Sequence, residues 1–319
     1  MSKTLNWGIL GTAKIGKAVI PGIRDSKRSH LQGIASRSIS SAKEYANIWN
    51  IPQIYGSYDE LLADQNIDVV YIPLPNHLHA EWTIKAAQAG KHVLCEKPIT
   101  LTLEEIDKVI KARDDHGVII AEAFMYRHHP QTKKVQELIS EKAIGEVKFI
   151  RGSFSFMLGI EEDIRWELGY GGGALWDVGC YPVSFTLMVL NDRPQEIKGF
   201  RTDTASGVPK SYSGMMRFGN DVVAQFDCAF DLPYNTSMEI RGTEGSIIVP
   251  QPFKPEQISQ IVLSLENKEQ TFSFNYKNLY LGEIEDMERS ILDSQPPMLS
   301  LEESKVIAET LIELHKIGI

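Results

Sequence analysis

Lys97, Asp177 and Tyr181 carry side chains that together could bind a polyol and move one proton. Lys97 follows the apolar run Val93–Glu96 and precedes Pro98. In a doubly wound sheet the carboxyl ends of the strands face the ligand crevice. An ammonium placed there can donate to a substrate hydroxyl, and desolvation or a nearby cation would lower its pKa. Asp177 and Tyr181 are spaced i, i+4 within the apolar stretch Gly173–Leu190, so a helix there projects both from one face. The glycines 171–173 offer a helix entry that lets backbone approach a ligand. Pro182 removes the amide that would pair with Val178 and predicts a kink. Without chemistry, Lys97 reads as a surface lysine, Tyr181 as a core aromatic, and Asp177 as a cap or ion-pair residue.

A second constellation would hold a ligand. Gly11-Thr12-Ala13-Lys14-Ile15-Gly16 closes the first apolar run and opens the first helical pattern. It fits the dinucleotide fingerprint G-x-G-x-x-G, with Ala13 in place of the second glycine. The first glycine allows the tight turn, and the third allows close helix–strand packing. Phosphate oxygens would sit on the N–H groups of the helix N-terminus. The methyl of Ala13 is tolerable only at negative φ. About 20 residues further on, where a carboxylate would hold a ribose 2′-hydroxyl, the chain has Ser36-Arg37. A hydroxyl and a guanidinium suit a 2′-phosphate, which predicts NADP(H) as the preferred cofactor, with NAD(H) possible.

These residues need a scaffold. The chain has 319 residues, enough for about two domains. Up to residue 125, short Val-, Ile- and Leu-rich runs without polar alternation separate helical patterns, which predicts βαβ units and a parallel sheet covered on both faces. After Tyr126, longer alternating segments with turns at Gly219-Asn220 and Asn267-Lys268 predict a mainly antiparallel sheet, interrupted by the apolar helix Gly173–Leu190. Helices over Glu283–Leu292 and Leu301–Ile317 close the sequence. The expected fold class is α/β plus α+β, with a Rossmann-like domain over residues 1–123 and a second domain over residues 124–300.

The charge balance, 33 basic against 42 acidic residues, argues against a nucleic-acid backbone as partner. No run approaches 18 uncharged apolar residues, so no membrane span is expected. Cys95, Cys180 and Cys228 are scattered and odd in number, which disfavours disulfides and thiolate metal sites. Adjacent His128 and His129 do not face one site, so no metal is expected. Glu161-Glu162-Asp163 reads as a solvated acidic loop. The first ten residues run straight into a strand pattern without an apolar targeting segment, and a reducing cytoplasm is the expected location.

Four segments together resemble the Gfo/Idh/MocA oxidoreductases: Gly11–Gly16, Pro73-Leu74-Pro75-Asn76-His77-Leu78-His79, Cys95-Glu96-Lys97-Pro98, and Gly171–Pro182 with its Asp177-Val-Gly-Cys-Tyr181 core. The segments Trp7–Ala13 and Glu122–Pro130 place the resemblance nearest the branch of dimeric dihydrodiol dehydrogenase and NADP-dependent D-xylose dehydrogenase. The resemblance implies a Rossmann domain, a second domain on a large open mixed sheet, helix 301–317 packed back on the first domain, and a homodimer or homotetramer through the open sheet face. It implies that Pro73, Leu74, Asn76 and His79 line the cofactor, with Glu96 at the nicotinamide ribose. The Lys97-Pro98 bond would be cis. Arg127, Arg165 and Trp166 would line the substrate side. Tyr181 would be the acid/base, with Lys97 assisting and Asp177 binding substrate; the roles of Lys97 and Tyr181 are exchangeable at this level. The activity implied is hydride transfer between a nicotinamide and a carbinol or carbonyl carbon of a sugar, polyol or cyclic diol. An oxidoreductase with non-dissociating NADP and a dinucleotide-sensing regulator use the same scaffold.

Overall fold

The Val-, Ile- and Leu-rich runs of the first 125 residues form six parallel strands: β1 (Leu5–Leu10), β2 (Ser29–Ala35), β3 (Gln53–Tyr55), β4 (Val69–Ile72), β5 (His92–Glu96) and β6 (Ile120–Ala123). Between them lie α1 (Gly16–Asp25), α2 (Ile39–Trp49), α3 (Tyr58–Ala63), α4 (His79–Gln88) and α5 (Leu103–His116). Next come α6 (Pro130–Ser140), β7 (Val147–Met157), α7 (Cys180–Leu190), β8 (Glu196–Asp203), β9 (Pro209–Arg217), β10 (Val223–Ala229), β11 (Asp231–Gly242), β12 (Gly245–Val249), β13 (Ile258–Leu265) and β14 (Lys268–Asn275). Helices α8 (Leu281–Leu292) and α9 (Leu301–Ile317) follow. The computed structural model describes residues 3–159 and 163–317, so Glu161 and Glu162 of the acidic loop lie outside the described residues.

The chain forms two units. One comprises Met1–Met125 with Asn278–Lys305, the other Tyr126–Lys277 with Val306–Ile319. The first unit carries the strand order β3-β2-β1-β4-β5-β6, the doubly wound arrangement whose crevice opens where the order reverses, beside β1 and β4. Alternate strand residues feed two apolar layers. Leu10, Val70, Ile72 and Val93 meet Leu61, Ile106 and Val109 on one face. Trp7, Ile9, Val69 and Leu94 meet Val19, Ile20, Ile284 and Met287 on the other. β3 escapes sequence reading because three residues at a sheet edge show no periodicity. Helix α8, read from sequence with the second domain, belongs to the first unit. Of α9, only Leu301–Lys305 belongs there, where Leu301 is buried in the core.

The second unit is built on eight strands in the order β14-β13-β12-β11-β7-β10-β9-β8. Among the described strands, β7 and β10 pair in parallel, and all other neighbours are antiparallel. The Gly219-Asn220 turn joins β9 to β10 with Asn220 in the left-handed region at φ 56°. Helix α7 is buried all round except at Leu190, which is why its sequence shows no polar face. The stretch Leu168–Leu190 is long and apolar enough by composition to cross a bilayer. Within the unit, 83% of its apolar window is buried, so a core position accounts for that composition. The later part of α9 belongs to this unit, where Tyr212 donates to the Leu314 carbonyl and Arg201 to that of His315.

Helix α8 buries an acid in the first unit. Glu283 is 2% exposed, and neither carboxyl oxygen has a hydrogen-bond partner among the described residues. Burial first, and the charge of Glu96 second, push its pKa well above the usual carboxylate value. A raised folded pKa contributes stability below the unfolded value that is lost as pH rises through the folded one. Glu283→Gln is therefore expected to melt above the parent protein at pH 8, by about 2–4 °C for each kcal/mol of charge-burial cost removed. The gap should close at pH 4; melting curves showing the same gap at both pH values would refute the burial cost.

Candidate active site

In the first unit, the residues singled out from sequence collect at the carboxyl ends of adjacent strands. Gly11 follows β1, Ser36 and Arg37 follow β2, Pro73 and Leu74 follow β4, and Glu96 and Lys97 end and follow β5. Gly11 has φ 94°, which only glycine adopts without strain, and its N–H donates to the Ala35 carbonyl at 2.8 Å. Ala13 is absent from the described residues of positive φ, so its methyl is accommodated. Gly16 opens α1, and a Cβ there would lie 1.9 Å from the Tyr45 hydroxyl, which itself donates to the Ala13 carbonyl. The glycine lets α1 and α2 close around the turn. No side chain caps the α1 N-terminus, and its first turn carries no acid. A turn of this shape, ahead of an uncapped helix start, fits a dinucleotide pyrophosphate.

At the end of β2, Ser36 is buried and its hydroxyl accepts from the Ser38 N–H, while Arg37 is exposed. No carboxylate stands there. Thr12 and Ile15 are half-buried within the glycine turn.

Lys97 is half-buried, and the Lys97-Pro98 bond is cis. Its surroundings are fixed by groups from three elements. The Tyr71 hydroxyl donates to Glu96 Oε1 at 2.6 Å, and Ile99 N–H donates to Glu122 Oε1 at 2.9 Å. The third group is His79, which is 1% exposed. Its Nδ1 lies 2.7 Å from the Pro98 carbonyl oxygen and its Nε2 2.7 Å from that of Leu74. Burial dominates its titration and lowers its pKa to about 4, against the raising effect of the two carbonyls; Lys97 and His77 lower it further. The ring is committed to backbone on both sides, so the structure gives His79 a holding position between the Leu74 and Pro98 turns. Asn76 is half-buried in the same segment.

In the second unit, Tyr181 is 4% exposed and enclosed by rings. The centroids of Phe154, Phe253 and Tyr126 lie 5.3, 5.4 and 6.0 Å away. The Tyr126 hydroxyl shares a 2.6 Å hydrogen bond with Ser184, whose hydroxyl also donates to the Tyr181 carbonyl. Arg127 is buried and lies beside the Tyr126 hydroxyl. Ahead of α7 the chain makes a wide π-turn over Leu175–Gly179 instead of the expected continuous α-helix. Pro182 has no N–H for Val178, and the ladder before it widens instead of simply bending. Asp177 sits in that turn and faces Arg165, Oδ2 to Nε 3.5 Å; Arg165 also lies 3.7 Å from Asp163. The ion-pair reading of Asp177 and Arg165 is thus realised. Trp166 donates to the Gly159 carbonyl and stands edge-on to Phe230. His129 accepts from the Gln131 N–H at the start of α6, and no cluster of metal ligands occurs among the described residues.

Sequence reasoning missed Tyr71, Tyr45 and Glu122 as supports of the site. Each acts on a residue far away in sequence, so no local spacing announces it.

Comparison with known proteins agrees with this geometry. The profile of an oxidoreductase family, NAD-binding Rossmann fold, GFO/IDH/MocA, matches residues 5–124, and that of the GFO/IDH/MocA C-terminal domain matches residues 132–248. A D-xylose 1-dehydrogenase (NADP(+)) of Haloferax volcanii is 36% identical over 97% of this chain and 96% of its own. The trans-1,2-dihydrobenzene-1,2-diol dehydrogenase of Xenopus tropicalis is 31% identical over 98% of each chain. Among solved structures, a variant of KijD10, a 3-ketoreductase of Actinomadura kijaniata in complex with TDP-benzene and NADP, superposes with a TM-score of 0.92 at 26% identity, over 99% of this chain and 98% of the other.

A depressed folded pKa contributes stability above the unfolded value that is lost as pH falls through the folded one. For His79 that window runs from about 6.5 down to about 4. The parent protein is expected to lose more stability across this window than His79→Gln, measured by denaturant midpoints at each pH. Parallel pH curves would show that the ring does not titrate as the geometry requires.

Proposed function

Because the chain belongs to the GFO/IDH/MocA oxidoreductase family, we propose that it transfers a hydride between NADP(H) and a carbinol or carbonyl carbon of a sugar, polyol or cyclic diol. The observation carrying this reading is the gathering of the glycine turn, Ser36-Arg37 and Lys97 at the carboxyl ends of β1, β2 and β5. A sheet of this order offers its ligand crevice at those ends. NADP(H) is the preferred cofactor, because the β2 end presents a hydroxyl and a guanidinium and no carboxylate. NAD(H) remains an alternative substrate for the same turn.

When bound, the dinucleotide supplies the hydride acceptor or donor. The protein's part is orientation and proton transfer. Gly11, Thr12, Ala13, Ile15 and Gly16 hold the pyrophosphate, Pro73, Leu74 and Asn76 line the cofactor, and Glu96, fixed by Tyr71, takes the nicotinamide ribose. His79, set between the Leu74 and Pro98 carbonyls, holds the turns that line the cofactor. Tyr181 accepts the proton of the substrate hydroxyl in the oxidative direction and returns it in the reductive one. Lys97 assists that transfer by its charge, which favours the developing alkoxide. Asp177, held by Arg165, binds a substrate hydroxyl, and Arg127 and Trp166 border the substrate. Support for the pair of proton-handling residues comes from KijD10, solved with one lysine or one tyrosine replaced. Those two residues have the same separation in sequence as Lys97 and Tyr181.

The protein assembles as a homodimer or homotetramer through the second unit's sheet. The face bearing Lys198, Met215 and Gln225 also leaves Phe200 85% exposed, an apolar side chain suited to a protein contact. A reducing cytoplasm suits its three cysteines, all buried and none in a disulfide among the described residues.

Absorbance at 340 nm with NADP⁺ or NAD⁺ and D-xylose, D-glucose, myo-inositol or a trans-cyclohexanediol tests the activity. Turnover with NADP⁺ is expected. Tyr181→Phe and Lys97→Ala should each lower kcat by at least about 100-fold, the scale of one general acid–base group, while NADPH binding persists. Near-parental turnover in both variants would overturn the assigned roles.

A further inference from the structure

The peptide joining Pro98 to Ile99 is held by side chains at both of its polar atoms. Its carbonyl oxygen lies 2.7 Å from Nδ1 of His79, the first residue of α4. Its N–H donates to Oε1 of Glu122, on β6, at 2.9 Å. Both side chains are buried, His79 at 1% and Glu122 at 3% exposure. On the other side of Lys97, the Tyr71 hydroxyl holds Glu96. Lys97 therefore stands between two fixed points, and the ring of Pro98 removes the φ freedom between it and the held peptide.

Packing alone does not explain an acid at position 122. Glu122 faces Cys95 in the β5–β6 register, and Cys95 and Ile99 belong to the apolar layer of Ile72, Ile106 and Val109. A carboxyl beside such a layer costs free energy unless hydrogen bonds satisfy it. An apolar side chain would pack there without that cost, but would leave the Ile99 N–H without this acceptor. Resting on the role of Lys97 given above, we propose that Glu122 is a positioning residue for proton transfer, acting through Lys97. Its Oε1 sets the Pro98–Ile99 peptide, and with it the place of the Lys97 ammonium. The role requires an acceptor of the right reach; charge is secondary to it.

Two conservative variants separate reach from charge. Glu122→Gln keeps the length and an acceptor oxygen and loses the carboxyl. Glu122→Asp keeps the carboxyl and is one methylene shorter. Steady-state kinetics are measured at 340 nm with the sugar or diol of the panel above that turns over fastest, beside NADPH titrations followed by nicotinamide fluorescence. Glu122→Asp is expected to lower kcat by about 10- to 100-fold, the scale of a misplaced reacting group, with KM and NADPH affinity unchanged. Glu122→Gln should restore most of that loss. In the Lys97→Ala background, Glu122→Asp should have no further effect on kcat. Exchange of the Ile99 amide, followed by NMR, reports the hydrogen bond itself and should quicken in Glu122→Asp but not in Glu122→Gln. The reverse ranking of the two variants, a loss that adds to that of Lys97→Ala, or equal damage to kcat, KM and NADPH affinity overturns the positioning role. Near-parental kcat in Lys97→Ala overturns the reading of Lys97 itself, and the role of Glu122 with it.

Discussion

The neutral imidazole of His79 has one N–H, which donates to the carbonyl of either Leu74 or Pro98, while its other nitrogen packs against the second carbonyl. That buried contact joins the turn after β4 to the turn after β5. With it come the orientations of Leu74, which presses on the Gly11 turn, and of Lys97, which precedes the cis bond. The neighbouring supports work in the same manner. Tyr71 holds the half-buried Glu96 and Glu122 holds the Ile99 amide, each from a neighbouring strand.

The second unit solves a different problem. Its acid/base candidate sits among aromatic rings, and its carboxylate candidate sits in a wide π-turn beside an arginine. Rings fix the position of a phenol without competing for its proton. The π-turn widens the backbone ladder at Asp177, ahead of Tyr181 in the first turn of α7.

Much of this architecture was legible in advance, for physical reasons. Strands covered on both faces need few polar residues, so β4 and the middle of β5 stood out as unbroken apolar runs, and β1 and β2 as runs rich in Leu and Ile. Gly11 and Gly16 are legible because no other residue meets the demands of positive φ and close approach. Arg37 was visible through the carboxylate it replaces. The strand β3 was too short to show a period. The assignment of α8 to the first unit was invisible, because an amphipathic pattern states that a face is buried and not against which core. The tyrosines at 45 and 71 look in sequence like any half-buried aromatic. Their hydroxyls acquire meaning only when chain segments 25 or more residues apart are brought together.

The first unit is built from two stretches of chain, Met1–Met125 and Asn278–Lys305, separated by most of the second. Ile284, Met287 and Leu301 complete its apolar layers. During synthesis its parallel sheet must therefore wait, with one face only partly covered, while the intervening residues are made, about 8–30 s at ordinary elongation rates. In that interval Val19 and Ile20 of α1 share the layer with Trp7, Ile9 and Val69, but the part of it that Ile284 and Met287 will fill stays open. A chaperone that engages such surfaces would meet this protein at a defined chain length, and would release it when α8 emerges.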